Sequence, residues 1–392
     1  MMIVRHGRTG WTGRAGIEAD VAIIGAGPAG SALAIVLGRA GVRALLLDRA
    51  RFPRDKPCGE GLMPAGVSVL EEIGIALASF PTLDGVSYRV PHGGSARGEF
   101  VNGTKGRGVR RLVFDQVLAE RAQATPNIDA RFGCEATGLE VHSDHVLVKT
   151  AGGDIGCKFA VGADGIHSRV ARWMGWSRSP RSKRFALVGH VEAPRHGLDR
   201  VTVTLASGSE VYTAPTGPNE LLVAVLGSKS GLRQDDEPVR EAYARHVAAA
   251  HPELTVPAGV AIHGAGPFWV RPSTVADGRV FLIGDAAGFL DPLTGDGMSD
   301  ALTAARRVGE LIASEARDAA VQYRRWERGQ WRRRFFVNRL ALTLTGSSGL
   351  ARRAVRGLHR SPSTLNRLLE VNDGSRSLSS LSVRDWSALV GV

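Results

Sequence analysis

The sequence predicts an α/β fold in which a mostly parallel, helix-flanked sheet is interrupted by an antiparallel sheet and followed by a helical, basic C-terminal region. Three observations predict it. A strand–glycine turn–helix–strand unit opens the chain at residues 20–48. Two later apolar runs, at 159–172 and 278–305, each end in a glycine–aspartate turn and then a helix. Between them, residues 82–110 and 180–275 alternate apolar and polar positions, as antiparallel strands do.

The opening unit is the most informative. DVAIIG (20–25) is a branched, apolar run suited to a buried parallel strand. GAGPAG (25–30) follows directly, then a helical SALAIVLGRAG (31–41) and a second strand, VRALLLD (42–48). Gly25 allows a tight turn, Gly27 lets the backbone approach a pyrophosphate, and Gly30 lets helix and strand pack closely. Pro28 and Ala29 complete the turn, and the helix start offers free N–H groups to phosphate. Asp48, with Arg49 beside it, stands where a carboxylate can bind a ribose hydroxyl. This is a Rossmann-like dinucleotide site.

Composition narrows the class. The chain has 392 residues, 43% of them hydrophobic, enough for a large core and two coupled domains. No run approaches the ~18 apolar residues of a membrane span. Three cysteines cannot all pair, and there is no CxxC, so neither a disulfide framework nor structural zinc is expected. A reducing, cytoplasmic compartment is expected, with Cys134 and Cys157 as packing residues in strands. Net charge is +12. The excess gathers in YRRWERGQWRRRFF (323–336) and ARRAVRGLHR (351–360). A solvated helical surface is the simplest explanation. An anionic membrane surface or an acidic carrier protein is the alternative, and nucleic acid is disfavoured because no binding module accompanies the charge.

The N-terminal MMIVRHGRTGWTGRAGIE (1–18) has no signal-peptide core and is expected to be a flexible extension, or the product of an over-early start codon. RHGRTGW is similar to the active-site start of histidine phosphatases, with His6 as nucleophile. A new strand begins at Asp20, too soon for such a site, and chance explains the match.

Three ordered motifs, GAGPAG (25–30), GADGIHSR (162–169) and IGDAAG (283–288) with its following PLTGDGM (292–298), carry a resemblance over about residues 19–310. The chain resembles the FAD-dependent group that includes para-hydroxybenzoate-type hydroxylases, geranylgeranyl reductases and flavin-dependent halogenases. The resemblance implies a Rossmann-like, GR2-type FAD-binding domain assembled from 19–81, 111–179 and 276–310, with 82–110 and 180–275 as the substrate-domain sheet and 311–392 as a basic helical region and tail. It implies that Gly284 and Asp285 hold FAD hydroxyls. Pro292, Gly295, Gly297 and Met298 would run beside the isoalloxazine, the helix start facing its N1–O2 edge. Asp164 would contact pyrophosphate, Arg111 (or its neighbour Arg110) would reach the cofactor, and Ala136 would lie against adenine.

The loop RFPRDKPCGEGLMPAG (51–66) similarly resembles the K-x-C-G-G loop of the geranylgeranyl-reductase branch, with Glu60 replacing a glycine. Cys58 and Gly59 would then neighbour the flavin. Cys58 becomes a candidate catalytic thiol if Lys56 and Arg54 depress its pKa. Tyr212 and Pro215, in VYTAPTGP (211–218), are the candidate substrate-pocket residues, although the tryptophan and phenylalanine of the prenyl-reductase pattern are absent. The halogenase tryptophan motif is absent too. The sequence therefore favours an NAD(P)H-dependent hydroxylase of a small apolar aromatic, polyketide-like or prenyl substrate, free or carrier-tethered, working by oxygen addition at flavin C4a. A geranylgeranyl-reductase-like enzyme delivering hydride from flavin N5 to a C=C bond is the alternative. FAD is the expected cofactor, NAD(P)H would bind transiently, and no metal is expected.

Overall fold

The computed structural model describes residues 17–91, 94–101, 103–206 and 208–391. RHGRTGW and its His6 lie outside the described residues. The chain begins with β1 (Ala19–Ile24), α1 (Pro28–Arg39), β2 (Ala44–Asp48), β3 (Gly61–Leu62) and α2 (Pro64–Glu72). Next come β4 (Thr82–Leu83), β5 (Gly85–Val90), β6 (Gly94–Glu99), β7 (Gly106–Gly108), α3 (Arg111–Gln123) and β8 (Ile128–Phe132). Then follow β9 (Ala136–Val141), β10 (Val146–Thr150), β11 (Gly153–Gly162), α4 (Arg169–Trp173), β12 (Arg184–Glu192) and β13 (Arg200–Ala206). The middle of the chain continues through β14 (Ser209–Gly217), β15 (Glu220–Ser228), α5 (Lys229–Leu232), α6 (Val239–Ala250), β16 (His263–Ala265), β17 (Ala276–Asp277) and β18 (Val280–Leu282). Five helices follow: α7 (Gly297–Ala313), α8 (Ala319–Thr345), α9 (Ser348–Arg360), α10 (Pro362–Asp373) and α11 (Val383–Val390).

The first sheet runs β17-β18-β11-β1-β2-β8, with β18, β11, β1, β2 and β8 parallel. The long β11 serves twice. Its first half pairs antiparallel with β10, and its second half enters the parallel sheet between β1 and β18. β1 and β2 are buried along nearly their whole length, with α1 packed against them, which is why ADVAII and ALLLD read as unbroken apolar runs rather than alternating ones. α1 packs closely on α7. A Cβ at Gly309 would fall 2.4 Å from Val36 Cγ1, so glycine sets the approach.

The second sheet runs β16-β12-β15-β14-β13-β5-β6. It is antiparallel except for β13 beside β5, which is parallel because those strands come from two separate excursions of the chain. One face carries Val86, Val188, Val203 and Tyr212 towards the rest of the molecule. The other carries Val211, Val223 and Val225 under α6. A small sheet, β3-β7-β4, joins the two larger ones.

The C-terminal region is mostly helical, and the serine-rich stretch expected to be a tail is ordered as a connection between α10 and α11 with one 3-10 turn at Leu378–Ser380. There α11 starts with a capping box in which Ser382 and Asp385 satisfy each other's backbone N–H groups. Helix α8 is anchored to the parallel sheet by Tyr323 Oη, which donates to the Leu282 carbonyl at 2.9 Å. Of its arginines, Arg325, Arg328, Arg332 and Arg339 are exposed, as expected of a solvated face, but Arg333 and Arg334 turn inward. Arg334 donates to Glu327 at 3.0 Å and pairs with Asp300 at 3.4 Å, and Arg333 donates to Asp300 at 3.2 Å. They line a small polar pocket between α7 and α8 because the acidic partners sit on the buried side of both helices.

Candidate active site

Parallel strands aim their C-terminal ends at one edge of the sheet, and ligands of such folds bind there. At that edge β1 turns into α1 through the glycine turn. Gly25 adopts φ +106°, and a Cβ there would fall 2.4 Å from the Ala163 carbonyl oxygen. A Cβ at Gly30 would fall 1.8 Å from the Gly25 oxygen. These two glycines hold the turn against β11. At Gly27 a Cβ would meet nothing nearer than an Arg54 nitrogen at 3.5 Å, so the backbone lies open for close approach. No side chain caps α1, whose first residue is Pro28, and none caps α7. Both uncapped N-termini therefore present free N–H groups and positive dipole ends to the same space.

That space is a cavity of about 360 Å³. Its floor is Gly27, Pro28 and Ala29, then Gly284 and Asp285, then Pro292, Gly295, Gly297 and Met298. Its roof is the second sheet, with Ala186, Val188, Ala224 and Leu226. Its side is the loop from Lys56 to Gly61. Small apolar roof residues leave width for a flat ring system. The loop brings Lys56 Nζ to 4.0 Å from Asp285 Oδ2.

The loop's geometry is set by Glu60. This residue is buried and left-handed, φ +56°. Its Oε1 accepts the Arg111 backbone N–H at 2.7 Å, and Oε2 meets His190 Nε2 at 2.8 Å. Arg110 contacts the His190 ring and pairs with Asp55 at 3.4 Å and Glu220 at 3.6 Å. Glu60 thus ties the loop to strand β12 of the second sheet. The sequence marks Glu60 only as a departure from glycine, and nothing in it singles out His190. The available signal was their pairing by type, but their 130-residue separation hid it.

The two candidate arginines separate cleanly. Arg111 is buried, lines the cavity and grips Asp115 with two bonds of 2.6 and 2.7 Å. Burial alone would lower its pKa, but the Asp115 carboxylate holds it well above the usual range. Arg110 turns away to the Asp55–Glu220 side.

Cys58 lines the cavity, and its sulfur accepts the Glu60 N–H at 3.5 Å. The expected depression of its thiol is overturned. Burial pushes the Cys58 thiol up and outweighs the opposing pull of Arg111. Arg54 is engaged with Asp115 at 3.1 Å and Lys56 with Asp285. Gly59 and Gly61 make room for Tyr212, whose Oη would lie 2.4 Å from a Cβ at Gly61.

Tyr212 lines the cavity, but Pro215 does not. Three residues apart on β14, they fall on opposite faces of the sheet, and the Pro215 carbonyl lies against Gly108 instead. Tyr212 also borders a second, largely apolar cavity of about 90 Å³ between the second sheet and helices α8–α11, with Thr294, Thr345 and Asn372 as its polar lining. Tyr212 and Gly295 are common to both walls. The Tyr212 hydroxyl is buried without a hydrogen-bond partner, and burial holds the phenol far above its ordinary pKa.

The adenine-side candidates lie farther along the same sheet edge. Asp48 accepts the Ala26 N–H at 2.7 Å and the Ala50 N–H at 2.8 Å, steadying the glycine turn. Arg49 is exposed beside it. Asp164 caps the start of α4 through Oδ2, at 2.6 Å from Arg169 N, while its buried Oδ1 has no partner. Ala136 is buried at the start of β9. None of Asp48, Arg49, Ala136 and Asp164 lines the cavity itself, although Ala163 and Gly165 beside Asp164 do.

An open glycine turn, two uncapped helix starts, an orphaned carboxylate oxygen at Asp164 and a flat apolar roof fit a dinucleotide carrying an extended ring. They define a flavin-dependent oxidoreductase that binds FAD. The chain belongs to the family described as FAD binding domain, whose profile matches residues 18–326. It is 29% identical to menaquinone reductase of Mycobacterium tuberculosis over 95% of this chain and 94% of that protein. It is 28% identical to digeranylgeranylglycerophospholipid reductase 1 of Methanothermobacter thermautotrophicus, over 79% of this chain and 80% of the other. Among solved structures, a flavoprotein/dehydrogenase from Cytophaga hutchinsonii superposes with TM-score 0.77 at 20% identity, covering 91% of this chain and 92% of that one. The flavin-dependent brominase Bmp2 superposes with TM-score 0.72 at 21% identity, over 91% and 100%. Among the described residues no helix is long and apolar enough to cross a membrane.

Proposed function

We propose that this enzyme reduces a C=C bond in the isoprenoid chain of an apolar quinone or lipid. The observation that carries the proposal is the largely apolar compartment that meets the flavin cavity at Tyr212 and Gly295. Its wall of Val86, Val201, Val203, Leu340, Val355 and Leu365 suits a flexible hydrocarbon. The names of the menaquinone and digeranylgeranylglycerophospholipid reductases support the same substrate class. A hydroxylase would share the cofactor floor, but a compact aromatic substrate would leave this compartment unused.

Bound FAD, once reduced, supplies hydride chemistry at its N5. The protein's own residues do the rest. The starts of α1 and α7 hold negative charge, Gly27 and Gly284 permit backbone approach, and Asp285 offers acceptors to hydroxyls. Ala186, Val188, Ala224 and Leu226 exclude water above the ring. Tyr212 keeps a proton on Oη at the junction of the two cavities, where the second carbon of the alkene needs one. Electrons come from a transiently bound NAD(P)H, for the sequence carries a single GxGxxG turn.

The test is a single turnover. FAD-loaded protein is reduced without oxygen, mixed with a polyprenyl quinone, and the product weighed by mass spectrometry. Gain of two hydrogens supports the proposal. No change without oxygen, and gain of one oxygen atom when oxygen is admitted, would establish the hydroxylase instead.

A further inference from the structure

Helix α9, SGLARRAVRGLHR, has two unlike faces. Ala351, Ala354, Val355 and Leu358 are buried and line the apolar cavity. Arg352, Arg353, Arg356 and Arg360 are exposed, the helix contains no acidic residue, and among the described residues none of the four is ion-paired. This differs from α8, where Arg333 and Arg334 are consumed internally by Asp300 and Glu327.

Helix α11 packs directly on α9. A Cβ at Gly357 would fall 1.9 Å from the Ala388 carbonyl oxygen, so the two backbones touch. Its inner residue Leu389 lines the same cavity. Its outer face carries Val383, Trp386 and Val390, spaced i, i+3, i+7, at 82%, 37% and 55% exposure. Buried apolar residues need no partner, but an exposed apolar stripe beside unpaired arginines does. That combination matches the headgroup region of a bilayer, where guanidinium groups meet phosphate and the valines and tryptophan reach the acyl boundary.

We propose that the outer faces of α9 and α11 dock the enzyme on an anionic lipid bilayer. The helices that touch the membrane outside wall the apolar cavity inside, so a membrane-dissolved substrate crosses only their thickness. Delivery of substrate rests on the prenyl-reductase proposal. Binding to vesicles does not, so the two can fail separately.

The experiment is flotation of the full-length, FAD-loaded protein with phosphatidylglycerol-containing vesicles and with vesicles of phosphatidylcholine alone. Binding only to the anionic vesicles, weakened by added salt, is expected. Each arginine near the surface contributes roughly five-fold in partitioning. The variant Arg352→Glu/Arg356→Glu should therefore lose at least about twenty-five-fold. Val383→Ser/Val390→Ser should weaken binding while leaving its salt dependence. All four positions are exposed, so FAD content and melting temperature should not move. Equal flotation of the charge-reversed variant would overturn the proposal. So would equal binding to neutral vesicles, or absence of flotation with retention on an acidic carrier protein.

Discussion

Replacing Glu60 tests how the cofactor loop is held. In Glu60→Ala the Arg111 backbone N–H loses its 2.7 Å acceptor in a buried setting. An orphaned buried donor costs about 1–3 kcal/mol. The His190 contact at 2.8 Å disappears as well. Arg110 keeps Asp55 and Glu220, so the penalty for its uncompensated charge stays below that of a fully isolated pair. The sum is about 3 kcal/mol. Glu60→Gly makes the same losses but removes the left-handed penalty at φ +56°, worth about 1 kcal/mol, and should cost about 2 kcal/mol. Glu60→Gln retains an acceptor for Arg111 and should lie nearest the parent. The assay is urea unfolding at fixed excess FAD, followed by tryptophan and flavin fluorescence together. A double-mutant cycle with His190→Ala should return a coupling above about 0.5 kcal/mol. A Glu60→Gly variant less stable than Glu60→Ala, or both within about 0.5 kcal/mol of the parent, would show that Glu60 does not hold the loop.

Other substitutions probe the site separately. Gly30→Ala puts a Cβ against the Gly25 oxygen and should yield protein purified without flavin, seen as a missing absorbance band; stoichiometric FAD would contradict the turn geometry. Tyr212→Phe should retain FAD and substrate binding but lower kcat by roughly 10²–10⁴-fold, the usual contribution of a positioned proton donor; an unchanged kcat would remove Tyr212 from proton transfer. Cys58→Ser should leave activity within a few-fold, and Cys58 should resist iodoacetamide at neutral pH, because burial keeps the thiol protonated. Asp300 gives a pH signature. Burial raises its pKa from 3.8 to about 6 against the pull of Arg334, so the folded state keeps its proton to higher pH than the unfolded chain. Stability from this group is greatest below pH 4 and declines towards pH 6, and the parent's advantage over Asp300→Asn in urea midpoint should shrink across that window. A pH-independent difference would show that Asp300 ionises normally.

What the sequence disclosed follows the range of each interaction. The glycine turn, β1, α1 and β2 depend on neighbours a few residues apart, and their periodicity announces them. The floor residues Asp285, Pro292, Gly295 and Met298 came from ordered motifs. The rest depends on distant pairings. Glu60 meets His190 across two sheets, and Arg333 and Arg334 meet Asp300 on another helix, so a run such as WRRRFF looks like surface until its partners are placed. Pro215 failed because β14 alternates faces, and adjacency to Tyr212 in sequence is opposition in space. Cys58 lines the cavity as expected, but its thiol is raised rather than depressed, because the sequence shows the nearby cations and not the burial that outweighs them or the carboxylates that engage Arg54 and Lys56.

The dispersal of the cofactor floor has a consequence for biogenesis. The phosphate turn is complete by residue 30, but the flavin edge awaits Gly297 and Met298, and the loop between them is pinned by Met63 to Ser299 at 3.2 Å and by Glu60 to His190. A nascent chain therefore carries half a binding site through most of its synthesis, with the β1–β2 pair unflanked until β8 and β11 arrive, and β11 unflanked on its far side until β18 does. The cofactor floor is complete only once Gly297 and Met298 are made, so any chain released before residue 300 would lack the flavin edge and expose apolar surface to chaperones and proteases.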